Sequence, residues 1–427
     1  MGQSVLTGGF PRLDGALHAE GVPLAALADA VGTPAYVYSA SAIREQFRRL
    51  ADALRPVPHR LHYSVKANST LAILALLREL GAGVDIVSGG ELYRSCRAGY
   101  RGSDVVFSGV GKTEREIEEA VHTGVKLINV ESEGELRLIE QVAARLDATV
   151  PVALRVNPEV TVDSPHPYIR TGEKGMKFGI PYDEALEIAR QASRLPHLVL
   201  AGLDMHIGSQ VSRLEPYTEG LHRLLELVAA LRAEGAHDLR YLDIGGGLAV
   251  TYDTEAEADL AEFAAGIIPL VLPTGLELLM EPGRFLVGNA GVLLTRVLYR
   301  KRSGGKTFVI TDAGMNDLLR PSHYKAFHRI EGARPAATRS VVNVVGPVCE
   351  SGDFFALDRE IDDVAPGDLL VVQSAGAYGF AMASNYNSRP RPPEVLVDGD
   401  RWSVIRDRET YEDLVRHEHI HPDWRHA

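Results

Sequence analysis

Eight short apolar runs, set apart by amphipathic stretches between about Ala35 and Met280, constrain this chain more than any other feature. They are Leu61–Val65, Val84–Val87, Val105–Phe107, Leu127–Val130, Val152–Val156, Leu200–Met205, Tyr241–Ile244 and Glu277–Met280, most of them rich in Val, Ile, Leu or Tyr. Each is too short to be a helix, and the stretches between them repeat as the crossovers of parallel βα units do. Eight such units are what a (β/α)8 barrel requires. The connecting stretches read as helices: Ile43, Phe47, Leu50 and Leu54 recur at helical spacing after Ser39 and Ser41, and Thr113 with Glu116 makes a capping-box start.

Beyond Gly291 the pattern changes to β-type runs, Val292–Leu298, Thr307–Thr311, Ser340–Val345, Leu369–Val372 and Glu394–Val397, broken by Gly, Pro and Asp turns. The expected organisation is an N-terminal segment 1–34 packing on the β domain, a barrel over 35–290, and a mostly-β domain over 291–427. A chain of 427 residues suits this division, because a barrel alone takes about 250 residues. One long polar interruption, Pro158 to Lys177, falls inside the barrel, and loops of that length are often functional.

Charge narrows the function. With 45 Lys plus Arg against 57 Asp plus Glu, the net charge of −12 disfavours nucleic acid as a partner. Residues Met1 to Pro11 lack the basic start and apolar core of a signal peptide, and no apolar run approaches the ~20 residues that span a bilayer. A cytoplasmic protein with no membrane partner is expected. The two cysteines, Cys96 and Cys349, exclude a disulfide framework. Cys96, between Tyr93 and Ala98 on a predicted helix, is expected to be a small buried hydrophobe, whereas Cys349 sits in a polar loop.

Reactive groups of such a barrel gather at the carboxyl ends of its strands. Lys66 follows the first run, His206 the sixth, Gly245-Gly246-Gly247 the seventh, and Glu281-Pro282-Gly283-Arg284 the eighth. A lone lysine is ordinarily a solvated surface charge. At a barrel mouth, desolvation can lower its pKa and fit it to attack an aldehyde, of which pyridoxal phosphate is the obvious case. The glycine run is either a plain turn or a phosphate cradle, the second being favoured after a seventh strand, with Ser209 as a further donor. Glu281 either pairs with Arg284 or keeps a pyridine nitrogen protonated. His206 reads as a satisfied core histidine or as a ring-stacking partner. No metal is expected.

The second domain carries Gly346-Pro347-Val348-Cys349-Glu350-Ser351-Gly352-Asp353, Gly376-Ala377-Tyr378-Gly379 and Ser384-Asn385-Tyr386-Asn387-Ser388-Arg389. Here the Cys349 thiol can donate a proton and Glu350 can hold a substrate ammonium.

These segments, in this order, resemble the fold-type III pyridoxal-phosphate decarboxylases, and the resemblance covers nearly the whole chain. Within that group the chain is most similar to the diaminopimelate decarboxylases, through Ser108-Gly109-Val110-Gly111-Lys112, His166-Pro167-Tyr168, Asp312-Ala313-Gly314-Met315-Asn316-Asp317, Cys349-Glu350-Ser351-Gly352-Asp353 and Ser384-Asn385-Tyr386-Asn387-Ser388-Arg389-Pro390. The resemblance implies an α/β fold, an alanine-racemase-type (β/α)8 barrel plus a C-terminal mostly-β barrel domain. It implies pyridoxal 5'-phosphate as cofactor, with Lys66 as the Schiff-base lysine and His206 stacked on the ring. Ser209, Gly245 to Gly247, Gly283, Arg284 and Tyr378 would be further cofactor contacts, and Glu281 would face the pyridine nitrogen. Arg284, Arg320, Tyr324, Glu350 and Tyr378 would bind the substrate, and Cys349 would return the proton.

The implied reaction is decarboxylation of meso-2,6-diaminopimelate at its D-centre to L-lysine, the last step of lysine biosynthesis, in a homodimer with shared sites. Arg170 departs from the small residue expected after Tyr168 and Ile169, which bears on how that segment closes over the site. Two other readings compete. An ornithine-, arginine- or lysine-type decarboxylase on the same fold is opposed by Arg320 and Glu350, since its substrate has no distal carboxylate. A non-catalytic regulatory homologue is opposed by the presence of both Lys66 and Cys349.

Overall fold

A computed structural model of the chain describes residues 9–162, 171–421 and 424. The motif His166-Pro167-Tyr168 and Arg170 lie outside the described residues. The chain divides into two compact units, one holding Ala40–Ala290 and Gly376–Ala381, the other holding 9–39, Gly291–Ala375 and 382–421.

In the first unit all eight expected strands form: β1 (His59–Ser64), β2 (Gly83–Ile86), β3 (Val105–Phe107), β4 (Leu127–Val130), β5 (Val150–Asn157), β6 (Leu198–Asp204), β7 (Tyr241–Asp243) and β8 (Glu277–Met280). Each pairs in parallel with the next, and β8 pairs back onto β1, so the sheet closes into a barrel. The helices follow from the sequence as read. Ala40–Ala53 buries Ile43, Phe47 and Leu50. Glu114–Thr123 starts at a capping box in which Thr113 Oγ1 accepts from the Glu116 N–H at 3.3 Å and Glu116 Oε2 from the Thr113 N–H at 3.0 Å. It stops at Gly124, whose left-handed conformation a glycine adopts without strain.

The barrel interior is layered by chemistry. Val106, Leu127, Ala153, Ala201 and Leu279 form an apolar plug. Side chains two residues apart on a strand face the same way, so Asn129, Arg155 and Glu281 stand beyond Leu127, Ala153 and Leu279, toward the carboxyl ends. Ser64, Asp85, Asp204 and Asp243 are also buried near the carboxyl ends of β1, β2, β6 and β7. That end of the barrel is therefore lined by polar groups from most of its strands.

The second unit is built on a mixed sheet in the order Phe354–Asp362, Arg339–Val345, Lys306–Thr311, Gly291–Ser303, Ala35–Ser39, Glu394–Asp398, Arg401–Arg406, with Leu369–Val372 also pairing on Gly291–Ser303. Two segments differ from the expected division. Ala35–Ser39, expected to open the barrel, is instead a strand of this sheet, paired with both Gly291–Leu294 and Glu394–Val397. All five of its residues are buried, so it needs neighbours on both sides, and its tyrosines are anchored: Tyr36 donates to the Asp317 carbonyl at 2.7 Å and Tyr38 to Glu394 Oε1 at 2.6 Å. Gly376–Ala381, expected in the β domain, groups with the barrel, where the Tyr378 N–H donates to the Ala67 carbonyl at 2.8 Å and Asn68 Nδ2 to the Gly376 carbonyl at 3.3 Å. Among the described residues no helix is long and apolar enough to cross a membrane.

Candidate active site

Lys66 lies in the 3-10 turn Val65–Ala67 directly after β1, and its Nζ donates to Asp85 Oδ2 at 3.1 Å. Ser64 Oγ touches the same Oδ2 at 2.8 Å. The expected lowering of the lysine pKa is not what this arrangement produces. Burial lowers it, but the carboxylates of Asp85 and then Glu281 outweigh burial and hold the ammonium above its ordinary value. In the protein as it stands Lys66 is a charged donor, half-buried, aimed at a buried acid.

Glu281 follows β8 and is buried. Its Oε1 accepts from Ser108 Oγ at 3.1 Å and from Asn129 Nδ2 at 3.3 Å. Oxygens of Asp204, Asp243 and Glu281 lie within 4.8 Å of one another. Burial, reinforced by Asp85, Asp243 and Asp204, pushes the Glu281 pKa well up, and Asp243 is pushed up to about 7, chiefly by burial. So many carboxylates cannot all ionise in one dry layer. Arg155 supplies part of the balance, 2.8 Å from Glu131 and 3.9 Å from Asp204.

His206 follows β6. Burial, then Arg155 and Lys66, holds its pKa well below the ordinary imidazole value, and its Nδ1 accepts from the Gly208 N–H at 3.3 Å. It is a neutral ring, suited to stacking. Gly245, Gly246 and Gly247 follow β7 and are packed against backbone: an added Cβ would stand 2.7 Å from the Met205 carbonyl oxygen, 2.2 Å from that of Glu281 and 2.4 Å from that of Gly208. Two of these three contacts come from neighbouring strand ends, so the glycines let the loop approach the ends of β6 and β8 closely. At Gly283 a Cβ would meet Ser64 and Ala67 Cβ atoms at 3.0 and 3.1 Å. Next to it, Arg284 donates to Ser209 Oγ at 3.1 and 3.3 Å and to Tyr252 OH at 2.7 Å, and its guanidinium lies 4.7 Å from the Tyr378 ring centre. Glu281 and Arg284 are both buried, so a solvent-exposed surface pair does not describe them.

In the second unit Arg320 is buried and donates through Nη1 to His328 Nε2 at 2.9 Å, while His328 Nδ1 faces the Gln373 carbonyl at 2.8 Å. Tyr324 ends the same short helix, Arg320–Tyr324. Cys349 and Glu350 are exposed on a loop whose buried foot is Asp353, which accepts from the Val348 N–H at 2.6 Å and the Met315 N–H at 2.7 Å. The structure thus gathers Lys66, His206, Ser209, Gly245 to Gly247, Glu281, Gly283, Arg284 and Tyr378 in the barrel unit, and Arg320, Tyr324, Cys349 and Glu350 in the β unit. Cys96 is exposed rather than buried, because its helix turns Leu92 and Ser95 inward instead. Sequence reasoning missed Asp85, Asn129, Arg155, Asp204 and Asp243. The available signal was a polar residue at or near the last position of an otherwise apolar run.

A pyridoxal group fits this set. It needs an amine for its aldehyde, a donor-rich anion pocket for its phosphate and a carboxylate for its ring nitrogen, and Lys66, the Ser209–Arg284–glycine cluster and Glu281 offer these at one barrel mouth. Asp204 Oδ1 and Asp243 Oδ2 are buried without a hydrogen-bond partner among the described residues, and burial raises the pKa of both acids, so a cationic group bound at this mouth would favour their ionised forms.

Residues 40–288 match the family model of the pyridoxal-dependent decarboxylases, pyridoxal binding domain. The chain is 49% identical to the diaminopimelate decarboxylase of Pseudomonas aeruginosa, over 97% of this chain and 99% of that one. Among solved structures, diaminopimelate decarboxylase from Helicobacter pylori complexed with L-lysine is 42% identical, with a TM-score of 0.89 over 92% of this chain and 98% of that one. The M. jannaschii enzyme is 36% identical, with a TM-score of 0.92 over 97% and 98%. Agreement of this extent, running through barrel and β unit alike, means that the chain belongs to the diaminopimelate decarboxylase family of pyridoxal-dependent decarboxylases.

Proposed function

We propose that this protein removes the carboxylate at the D-centre of meso-2,6-diaminopimelate, giving L-lysine and carbon dioxide. The observation that carries the reading is the pairing at one barrel mouth of the Lys66 amine, held by Asp85, with the buried Glu281 carboxylate. Lys66, His206, Ser209, Gly245 to Gly247, Glu281, Gly283, Arg284 and Tyr378 would hold pyridoxal 5'-phosphate. When bound, the cofactor supplies an electron-accepting ring that takes up the pair left as carbon dioxide departs.

The remaining work falls to side chains. Asp85 orients Lys66 and can keep its ammonium charged until the amine is needed. Glu281, steadied by Ser108 and Asn129, keeps a proton at the ring nitrogen. The neutral His206 ring excludes water from one face. Arg320, Tyr324 and Glu350 carry the charges needed to grip a distal amino-acid group, and the Cys349 thiol returns a proton to the reacting carbon. Because Lys66 and Cys349 lie on separate units of the chain, and the Cys349 loop is exposed, the working form is proposed to be a homodimer in which the partner lends that loop. The test is carbon dioxide release by the cofactor-loaded protein from meso-diaminopimelate, ornithine and arginine in parallel. Release from the first alone supports the reading, and release from either of the others instead overturns it.

A further inference from the structure

The loop carrying Cys349 and Glu350 has a well-anchored foot and an exposed tip. Asp353 fixes the foot, but the Cys349 N–H is met by a side chain 38 positions away, Asn387 Oδ1, at 2.8 Å. One residue earlier in the second loop, Tyr386 has its hydroxyl pKa raised chiefly by the neighbouring Glu350 carboxylate. The second loop therefore holds the backbone of the first at Cys349 through the Asn387 side chain. We propose that Asn387 is a positioning residue that sets the loop of Cys349 and Glu350 for the reaction, an inference that rests on the roles proposed for those two side chains above.

The backbone supports this over a plain turn. Asn387 and Ser388 are both left-handed, with φ of 56° and 53°, and neither is glycine. Such a pair is unfavourable, although Asn tolerates the conformation better than most residues. A turn without a further duty would take glycine at one of these places. Here the turn delivers an amide oxygen to the Cys349 N–H, which glycine has no side chain to do.

The second loop is itself secured, so it can transmit position. The Ser384 N–H donates to the Asn316 carbonyl at 2.8 Å, Asn385 Nδ2 donates to Glu409 Oε2 at 2.6 Å, and Arg389 Nη2 donates to the Asp312 carbonyl at 3.1 Å. Fixing the amide of Cys349 fixes the origin of its thiol.

The decisive variant is Asn387→Gly, which accepts the left-handed backbone freely and deletes only the amide, with Asn387→Asp as the conservative rescue because it keeps an acceptor oxygen. Asn387→Gly should lower kcat on the order of tenfold, with KM nearly unchanged, since small misplacements of a reacting group are costly. In a Cys96→Ser background it should also raise the rate of Cys349 alkylation by iodoacetamide several-fold, and Asn387→Asp should restore both. If the glycine variant matches the parent in kcat and alkylation rate, or the aspartate variant is no better than the glycine one, the positioning role is wrong. Cys349→Ala separates the two ideas: full activity there sinks the proton-donor reading, and the alkylation rates alone then decide whether Asn387 sets the loop.

Discussion

At Lys66 two opposing forces of known sign meet, and the carboxylates win over burial. Replacing Asp85 by Asn removes the nearer one, so the Lys66 pKa should fall by roughly one to three units, the usual effect of an adjacent opposite charge. Labelling of Lys66 by an amine reagent in cofactor-free protein should then switch on at correspondingly lower pH. An unchanged labelling profile would show that Asp85 does not control the amine. His62, deeper in the barrel, offers a contrasting titration. Burial first, then Arg60 and Lys126, lowers its pKa to about 3, against about 6.5 in an unfolded chain. Between those values the folded state binds fewer protons, so this group makes stability rise with pH across that window and fall on acidification. Asp243 and Asp317, each pushed up to about 7 by burial, act in the opposite sense from about pH 4 to 7. Comparing wild type with His62→Leu cancels those terms: between pH 6.5 and 4 the wild type should lose more stability in urea than the variant does, and equal losses would rule out a neutral buried imidazole. Residues at strand ends, Lys66, His206 and Glu281, were legible from sequence because a parallel barrel sends every strand end to one mouth. Asp85, Arg155, Asp204 and Asp243 carried only the weak signal of a polar residue inside an apolar run, since what each one meets is decided by closure of the ring.

At the scale of elements the glycine loop after β7 makes the sharpest demand. A Cβ on Gly246 would stand 2.2 Å from the Glu281 carbonyl oxygen, whereas one on Gly111 meets nothing within 4 Å. Gly246→Ala should therefore force the loop away from the end of β8, costing about 1–3 kcal/mol and weakening pyridoxal phosphate retention at least about tenfold by displacing the donors of the cradle. Gly111→Ala, in a motif but unconfined, should stay within about 0.5 kcal/mol of the parent. Denaturant midpoints and cofactor titration measure both, and equal behaviour of the two variants would remove the cradle. The barrel strands themselves were readable because each is an apolar run flanked by a helix-length stretch. Ala35–Ser39 misled for the same reason: a fully buried Ala-Tyr-Val-Tyr-Ser run looks alike in a barrel and in a sheet. Only its long-range partners, Gly291–Leu294 and Glu394–Val397, assign it.

At the scale of the whole molecule the question is which chains supply one working centre. The amine at Lys66 and the thiol at Cys349 lie on different units, and the proposed homodimer joins the barrel of one chain to the Cys349 loop of its partner. Two-fold symmetry makes this exchange reciprocal, so each dimer has two composite sites. A Lys66→Ala protein and a Cys349→Ala protein should each be inactive alone. Mixed, unfolded mildly and refolded together, they form hybrids in which the chain lacking Cys349 still offers Lys66 while its partner still offers Cys349. One of the two sites in such a hybrid is then whole and the other is doubly damaged. Random exchange makes about half of the dimers hybrids, so roughly a quarter of wild-type activity should return. Each variant carried through the same treatment by itself is the control. If native mass spectrometry shows that hybrids formed and no activity returns, Cys349 serves its own chain or is not the proton donor, and Cys349→Ala tested for residual turnover tells these apart.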